Sequence, residues 1–398
     1  MRRSVLGLIG FVTLFLIGMP ILQPTLIAQS NSTQEKAPTM INGVMCHELN
    51  AEQAATLAEN GVNWVSDDID FNQSASNWNT VYTLAQQNHL QVLGILDQWT
   101  MNFNHTFSMI DWENAVTEAV STYGSGISAW EIWNEPCFSS NYFGVFNGTA
   151  AQYVELMSTA YPIIKSVYPN ATVLGLGGLP LYTSTDGPSN AMLVQYPSGY
   201  TWVDYSENFT QAVVNLGGMN YCDAVALHAY PYGKYAVKYA GNSYVRSLKK
   251  YTEITGKDVW ITETGQYSEP YNDIVYSPQE QSDYLSSSYA LLKSQHVKAY
   301  FWYELNDNNV ANNLYDFNTT SFGLYDFYSN PKPALSKYFG LVSQTIAPEF
   351  SFWIILSLVS VLILVSIVFA RKKMTAPSKR GKILNPPYRK ETNRGGKG

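Results

Sequence analysis

Eight short apolar, β-branched runs recur along this chain, with helix-period segments between them. The runs are Ile41–Met45, Val62–Ser66, Gln91–Leu96, Ala129–Trp133, Ala171–Leu176, Ala224–His228, Val259–Thr262 and Ala299–Tyr303. Helical stretches include Glu52–Asn60, Asn79–Asn88, Trp112–Tyr123, Ala150–Tyr168 and Tyr244–Thr255. A strand that is apolar along its whole length is covered on both faces, as parallel strands under helices are. Eight repeats over this length favour a closed (β/α)8 barrel, an α/β fold, over a doubly wound sheet. Ser277-Pro278-Gln279-Glu280 predicts a capped helix start. Phe322–Phe339 reads as the turn and last helix that seal the barrel. The domain is expected over residues 41–342, after an extension at 29–40 and before a short tether at 343–349.

The ends of the chain are of another kind. Arg2 and Arg3 followed by an apolar run read as a secretory signal peptide over residues 1–28, and an uncleaved signal anchor remains an alternative. Phe350–Ala370 carries no charge and is long enough to span a bilayer as a single helix. Arg371, Lys372 and Lys373 follow it, and the tail over residues 371–398 is basic throughout. Basic residues stay on the cytoplasmic side, so the domain is expected outside the cell and the tail inside. Seven N-x-[S/T] sequons, at Asn31, Asn72, Asn104, Asn147, Asn170, Asn208 and Asn318, all precede the span. The formal net charge of −7 combines an acidic ectodomain with that basic tail, which argues against nucleic acid as partner. Cys46, Cys137 and Cys222 read as buried small hydrophobes, with one disulfide as the alternative.

The fourth run continues as "WEIWNEP", which sets Glu131 and Glu135 among bulky apolar side chains. A carboxylate in such surroundings is costly unless paired, hydrogen-bonded or protonated. Glu135 falls at the C-terminal end of its strand, and Glu263, in "VWITETG", at the end of the seventh. Those ends face the active site of a (β/α)8 barrel, and a pair of carboxylates there is what glycoside hydrolysis needs. By alternation Glu131, Trp133 and Glu135 point to the barrel interior, with Glu131 deeper and holding a polar network.

"WNEP" and "WITETG" resemble the fourth- and seventh-strand signatures of glycoside hydrolase clan A, the retaining (β/α)8 enzymes. "LHAYPY", "YFWYELND" and "FGLYDFYSNPKPAL" match in the right order, so the resemblance covers roughly Ile41 to Val342. Within the clan the chain looks nearest to the family 39 and family 5 members. The resemblance implies Glu135 as general acid/base, Glu263 as nucleophile, Asn134 on the sugar 2-hydroxyl and Trp302 as the aromatic floor at the cleaved bond. Glu263 and burial beside Trp133 would keep Glu135 protonated, and Tyr230 and His228 are donors for Glu263. His47, Glu48, Gln98 and Trp99 are rim candidates for sugar contacts. The segment "WVSDDIDF" departs from the clan, since it has no arginine to support the nucleophile. Its Asp67, Asp68 and Asp70 read first as a solvated loop, with sugar or cation binding as alternatives.

No zinc-ligand spacing, phosphate-binding glycine loop or nucleophile elbow occurs, and the implied chemistry needs no cofactor and no metal. The expected function is retaining hydrolysis of O-glycosidic bonds in a poly- or oligosaccharide. A silent carbohydrate-binding barrel and a transglycosylase are the alternatives.

Overall fold

The computed structural model describes residues 40–346, apart from 75, 102–106, 137–148, 181–191, 197–198, 204–205, 231–244, 246–247, 270–275 and 308–320. The segments expected as signal peptide and membrane span, most of the extension, the basic tail and Cys137 lie outside the described residues. Among the described residues no helix is long and apolar enough to cross a membrane. Cys46 and Cys222 are both buried free thiols.

Eight parallel strands close into a barrel: β1 (Ile41–Met45), β2 (Trp64–Asp68), β3 (Gln91–Leu96), β4 (Ala129–Ile132), β5 (Thr172–Pro180), β8 (Ala224–His228), β9 (Val259–Thr264) and β10 (Ala299–Trp302). Two further strands, β6 (Met192–Tyr196) and β7 (Gly199–Val203), pair as an antiparallel hairpin that interrupts the repeat after β5. Sequence periodicity missed it, because "MLVQYPSGYTWV" has neither a helical period nor a parallel strand's unbroken apolar run.

Alternation along the strands divides the core in two. Leu93, Ala129, Leu174, Ala224, Ala226, Trp260, Ala299 and Phe301 fill the barrel interior. The residues between them face outward and form the larger core under the helices, as Trp130, Ile132, Tyr300 and Trp302 do. Four alanines on three strands leave room for the ring pair of Trp260 and Phe301, stacked at 6.4 Å. Helix starts follow the expected chemistry. Asn50 and Gln53 form a reciprocal capping box, and Ser108 and Thr149 each accept a backbone N–H. Ser277 accepts from the Glu280 N–H at 3.3 Å and donates to Glu280 Oε2 at 2.9 Å, so the glutamate closes on the hydroxyl instead of the backbone. The last helix runs Pro333–Ile346, with Tyr338 in the outer core donating to the Gly43 carbonyl at 2.8 Å.

The two strand ends that matter most are bent. Trp133 and Glu135 have φ of 68° and 46°, the left-handed region, directly after β4. Strand β5 was expected to stop at Leu176; it instead bulges between Gly175 and Leu179 and continues to Pro180. At Gly177 (φ 52°) a Cβ would collide with the Ile132 and Trp133 carbonyls, so only glycine lets the bulge fold over the end of β4. The Gly177 carbonyl then accepts from the Glu135 N–H at 2.6 Å.

Candidate active site

Glu135, His228 and Glu263 meet at the C-terminal end of the barrel. His228 Nδ1 lies 3.0 Å from Glu135 Oε1 and 3.5 Å from Glu263 Oε2. The two oxygens are therefore within about 6.5 Å of each other, as 3.0 Å plus 3.5 Å is the most the shared nitrogen allows. His228 is buried, and Gly178 makes room for it: a side chain there would strike the imidazole. Burial alone would lower the His228 pKa, but Glu263, then Glu135 and Glu131, outweigh it and push it up to about 9. At neutral pH the imidazolium is thus a cation between the two glutamates. No described residue is an arginine, and His228 supplies the charge beside Glu263 that the second strand lacks.

Glu263 is 6% exposed and accepts from the Tyr230 hydroxyl at 2.6 Å. Burial raises its pKa, while His228 and Tyr230 favour the ionised form. Glu135 is the more open of the two, with 29% of its side chain exposed. That difference suits a proton donor that must exchange with solvent and a nucleophile held in a dry, donor-lined seat. Asn134, directly before Glu135 in "WNEP", has a buried Oδ1 with no hydrogen-bond partner among the described residues.

Two expectations about aromatic rings are corrected. Trp133 does not face Glu135: its left-handed φ breaks the alternation, and the ring packs outward on Trp112 at 5.7 Å and Phe107 at 6.3 Å. Trp302 is not the floor of the site. It lies on the outward face of β10, fully buried, against Tyr284, with Nε1 donating to the Phe322 carbonyl at 3.0 Å. The next residue takes the inner position. Tyr303, half-buried, has its ring 6.1 Å from Tyr230 and 5.8 Å from His47. Phe322 lies 5.6 Å from Tyr303, 5.8 Å from Tyr230 and 4.1 Å from Tyr267, completing an aromatic wall beside Glu263. In "YFWYELND" Tyr303 directly follows Trp302, so the two point to opposite faces of the strand.

The acidic segment at the end of β2 is likewise no solvated loop. Asp67, Asp68 and Asp70 are all buried. Asp70 organises the turn, accepting from the backbone N–H groups of Asn72 and Ser74 at 2.9 and 2.6 Å. His47 bridges the next layer, with Nδ1 2.9 Å from Glu304 Oε2 and Nε2 3.6 Å from Asp68 Oδ2. Burial would lower its pKa, but its bonds to Asp68 and Glu304 hold it well above the usual range. His47, Asp67 and Asp68 present ligand-type atoms within 4.8 Å of one another, but with both imidazole nitrogens facing carboxylates His47 serves here as a buried cation. Trp99 is half-buried after β3, with its N–H on Asp97 Oδ1 at 2.8 Å; Gln98 is buried and Glu48 exposed.

Glu131 sits deeper, on the interior face of β4, and accepts from Thr262 Oγ1 at 3.2 Å. Burial raises its pKa to about 8, so it is mostly protonated at neutral pH. The unfolded carboxyl titrates near 4.5, so folding takes up a proton: stability is full below that value and falls as pH rises toward about 8. Glu131→Gln, fixed in the neutral form, should melt with the wild type at pH 5 and about 5 °C higher at pH 9. Glu131 also helps to hold the His228 proton, so the His228 titration is followed by NMR in both proteins and its share of the difference subtracted. Equal melting temperatures at both pH values would count against a buried, protonated Glu131.

No family model matches the chain, and no curated protein does. Solved structures do. A glucosidase from Croceicoccus marinus matches with a TM-score of 0.55 at 13% identity, over 78% of this chain and 68% of that one. Native xylanase 10B from Thermotoga maritima matches at 0.51 and 16%, over 77% and 96%. A GH2 β-galacturonidase from Eisenbergiella tayi matches at 0.50 and 16%, over 77% of this chain. The chain spans about half the length of that galacturonidase. At these identities the likeness is one of fold: the closed parallel barrel is shared with glycoside hydrolases, and no finer family follows from it.

Proposed function

We propose that the chain is a membrane-anchored, outward-facing retaining glycoside hydrolase that cleaves O-glycosidic bonds of an oligo- or polysaccharide by double displacement. The observation that carries the reading is the single nitrogen, His228 Nδ1, within reach of both Glu135 and Glu263. A shared partner that holds the nearer oxygens within about 6.5 Å favours the close spacing of retaining enzymes over the wider one that admits a water between acid and base.

In the proposed cycle Glu263 attacks the anomeric carbon while Glu135 protonates the departing oxygen. A covalent glycosyl-enzyme results, and Glu135 then takes a proton from the water that attacks it. His228 and Tyr230 steady the charge on Glu263, which falls on attack and returns on release. Asn134, with its buried and unsatisfied Oδ1, is suited to accept from a sugar hydroxyl, and Tyr303 offers the stacking surface. His47 and Trp99 belong to the rim. No step requires a cofactor. The outward placement rests on the apolar stretch Phe350–Ala370 and the basic residues after it.

One experiment tests both parts. Intact cells displaying the full chain are given oligosaccharides that cannot cross the membrane, and early products are read by proton NMR. Product of the retained anomer should appear in the medium. An inverted anomer would rule out double displacement, and activity only after lysis would rule out the outward placement.

A further inference from the structure

A second binding surface adjoins the catalytic mouth. Beyond His47 a groove opens between the turn that follows β1, the start of the helix Trp78–Gln87, the exit of β10 and the turn at Asp326–Ser329. Glu48, Asn50, Asn77 and Asn306 line it with a carboxylate and amides, and Phe327 lines it with a ring. Phe327 is 56% exposed, and Tyr328 beside it is 81% exposed, with the two rings edge-on at 5.5 Å. Adjacent aromatic rings held open to water forgo the burial that usually stabilises them.

The groove is rigid before anything enters it. Asp326 accepts from the backbone N–H groups of Tyr328 and Asn330 at 2.9 and 2.8 Å, fixing the turn that presents the rings. Lys332 ties Asp307 to the same segment. Asn306 donates to the Glu48 carbonyl at 3.0 Å and accepts from Gln53 at 2.6 Å. The Asn77 side chain caps no helix N–H, although its own N–H holds the His47 carbonyl at 2.8 Å.

Its chemistry and its position point to the same occupant. Exposed ring faces beside amides and a carboxylate suit a saccharide, which has apolar C–H faces and a rim of hydroxyls. The groove also continues the site. From Glu263 the wall runs through Tyr230, Tyr303 and His47, each ring in contact with the next, and Glu48 follows His47 directly. We propose that this groove is a remote subsite that holds the far part of an extended glycan, so the substrate is a chain laid across the mouth and not a lone terminal sugar. The substrate class rests on the glycosidase reading; the groove as a glycan site is testable without it.

The test uses the full chain in detergent, and a Phe327→Ala/Tyr328→Ala variant. Substrates are cello-, xylo- and manno-oligosaccharides from disaccharide to hexasaccharide, with the matching aryl monosaccharides. Wild-type kcat/KM should rise with chain length. In the variant, the ratio of hexasaccharide to aryl-monosaccharide kcat/KM should fall about tenfold, the scale of two lost ring contacts. Asn77→Ala should lower it in the same direction. No gain with length in the wild type, or an unchanged ratio in the double variant, would overturn the proposal. Electrophoresis through gels containing cellulose derivative, xylan or mannan separates the two readings. Retardation lost in the variant while no glycoside is cleaved would keep the groove and remove the glycosidase. Neither cleavage nor retardation would remove the groove as well.

Discussion

Glu263→Ala should lower turnover by about 10⁴-fold or more on every glycoside the protein cleaves, activated aryl-glycosides included. The size follows from the role. Without a nucleophile no glycosyl-enzyme forms, and a better leaving group cannot replace it. The seat that Glu263 leaves is buried beside His228 and Tyr230, so the variant keeps a cation and a hydroxyl donor aimed at a vacant space. A small anion such as azide or formate can enter that space and attack directly. The expected product is then a glycosyl azide of inverted configuration, from a single displacement. Variant turnover close to wild type, with folding verified by thermal melting, would remove Glu263 from the nucleophile's role.

Glu135→Ala should behave differently, and the difference is diagnostic. On a glycoside whose leaving group needs a proton, kcat/KM should fall by about 10²–10⁴-fold, the usual span of general acid catalysis. On an activated aryl-glycoside the first step should persist, because that leaving group departs without help. The glycosyl-enzyme should then accumulate, since water has lost its base. A burst of phenol followed by slow turnover is the kinetic sign, and mass spectrometry should find the sugar on Glu263. Azide needs no base, so it should restore turnover and give a glycosyl azide of retained configuration. The open side of Glu135, with 29% of its side chain exposed, is where water and azide can approach. An inverted azide product from this variant would mean that the two glutamates have exchanged roles.

Neither variant is neutral toward His228. The imidazolium loses one of its two glutamate partners in each, and its pKa, about 9 in the intact site, should fall in both. The pH profile of the residual activity should therefore bend at lower pH on its alkaline side than that of the wild type.

The barrel was legible in the sequence because burial on both faces leaves a direct mark: mainly apolar runs of four to six residues, eight times, with helical spacing between. The positions of Glu135 and Glu263 were legible for a related reason, since a polar residue that ends such a run lies at the barrel's mouth whatever its neighbours do. Tyr230 on Glu263 was read as a donor and is placed as one.

What the sequence could not carry was direction once a strand ends. Period-2 alternation sets Trp133 beside Glu135 and Trp302 at the floor, but it holds only while φ stays extended. Left-handed φ at Trp133 and Glu135 turns one ring out to the helices and leaves the carboxyl at the mouth. On β10 the outward face claims Trp302, and Tyr303 takes the inner place. The burial of Asp67, Asp68 and Asp70 was equally hidden, because a run of aspartates reads as a surface until His47, from another strand, is folded against it. The bridge from His228 to both glutamates needs residues 93 and 35 positions away, a bulge in β5 and a glycine under the imidazole. Local pattern determines which elements form and which of their ends are polar. The distances and charges that decide chemistry are set between elements far apart in sequence, and only the closed barrel brings them together.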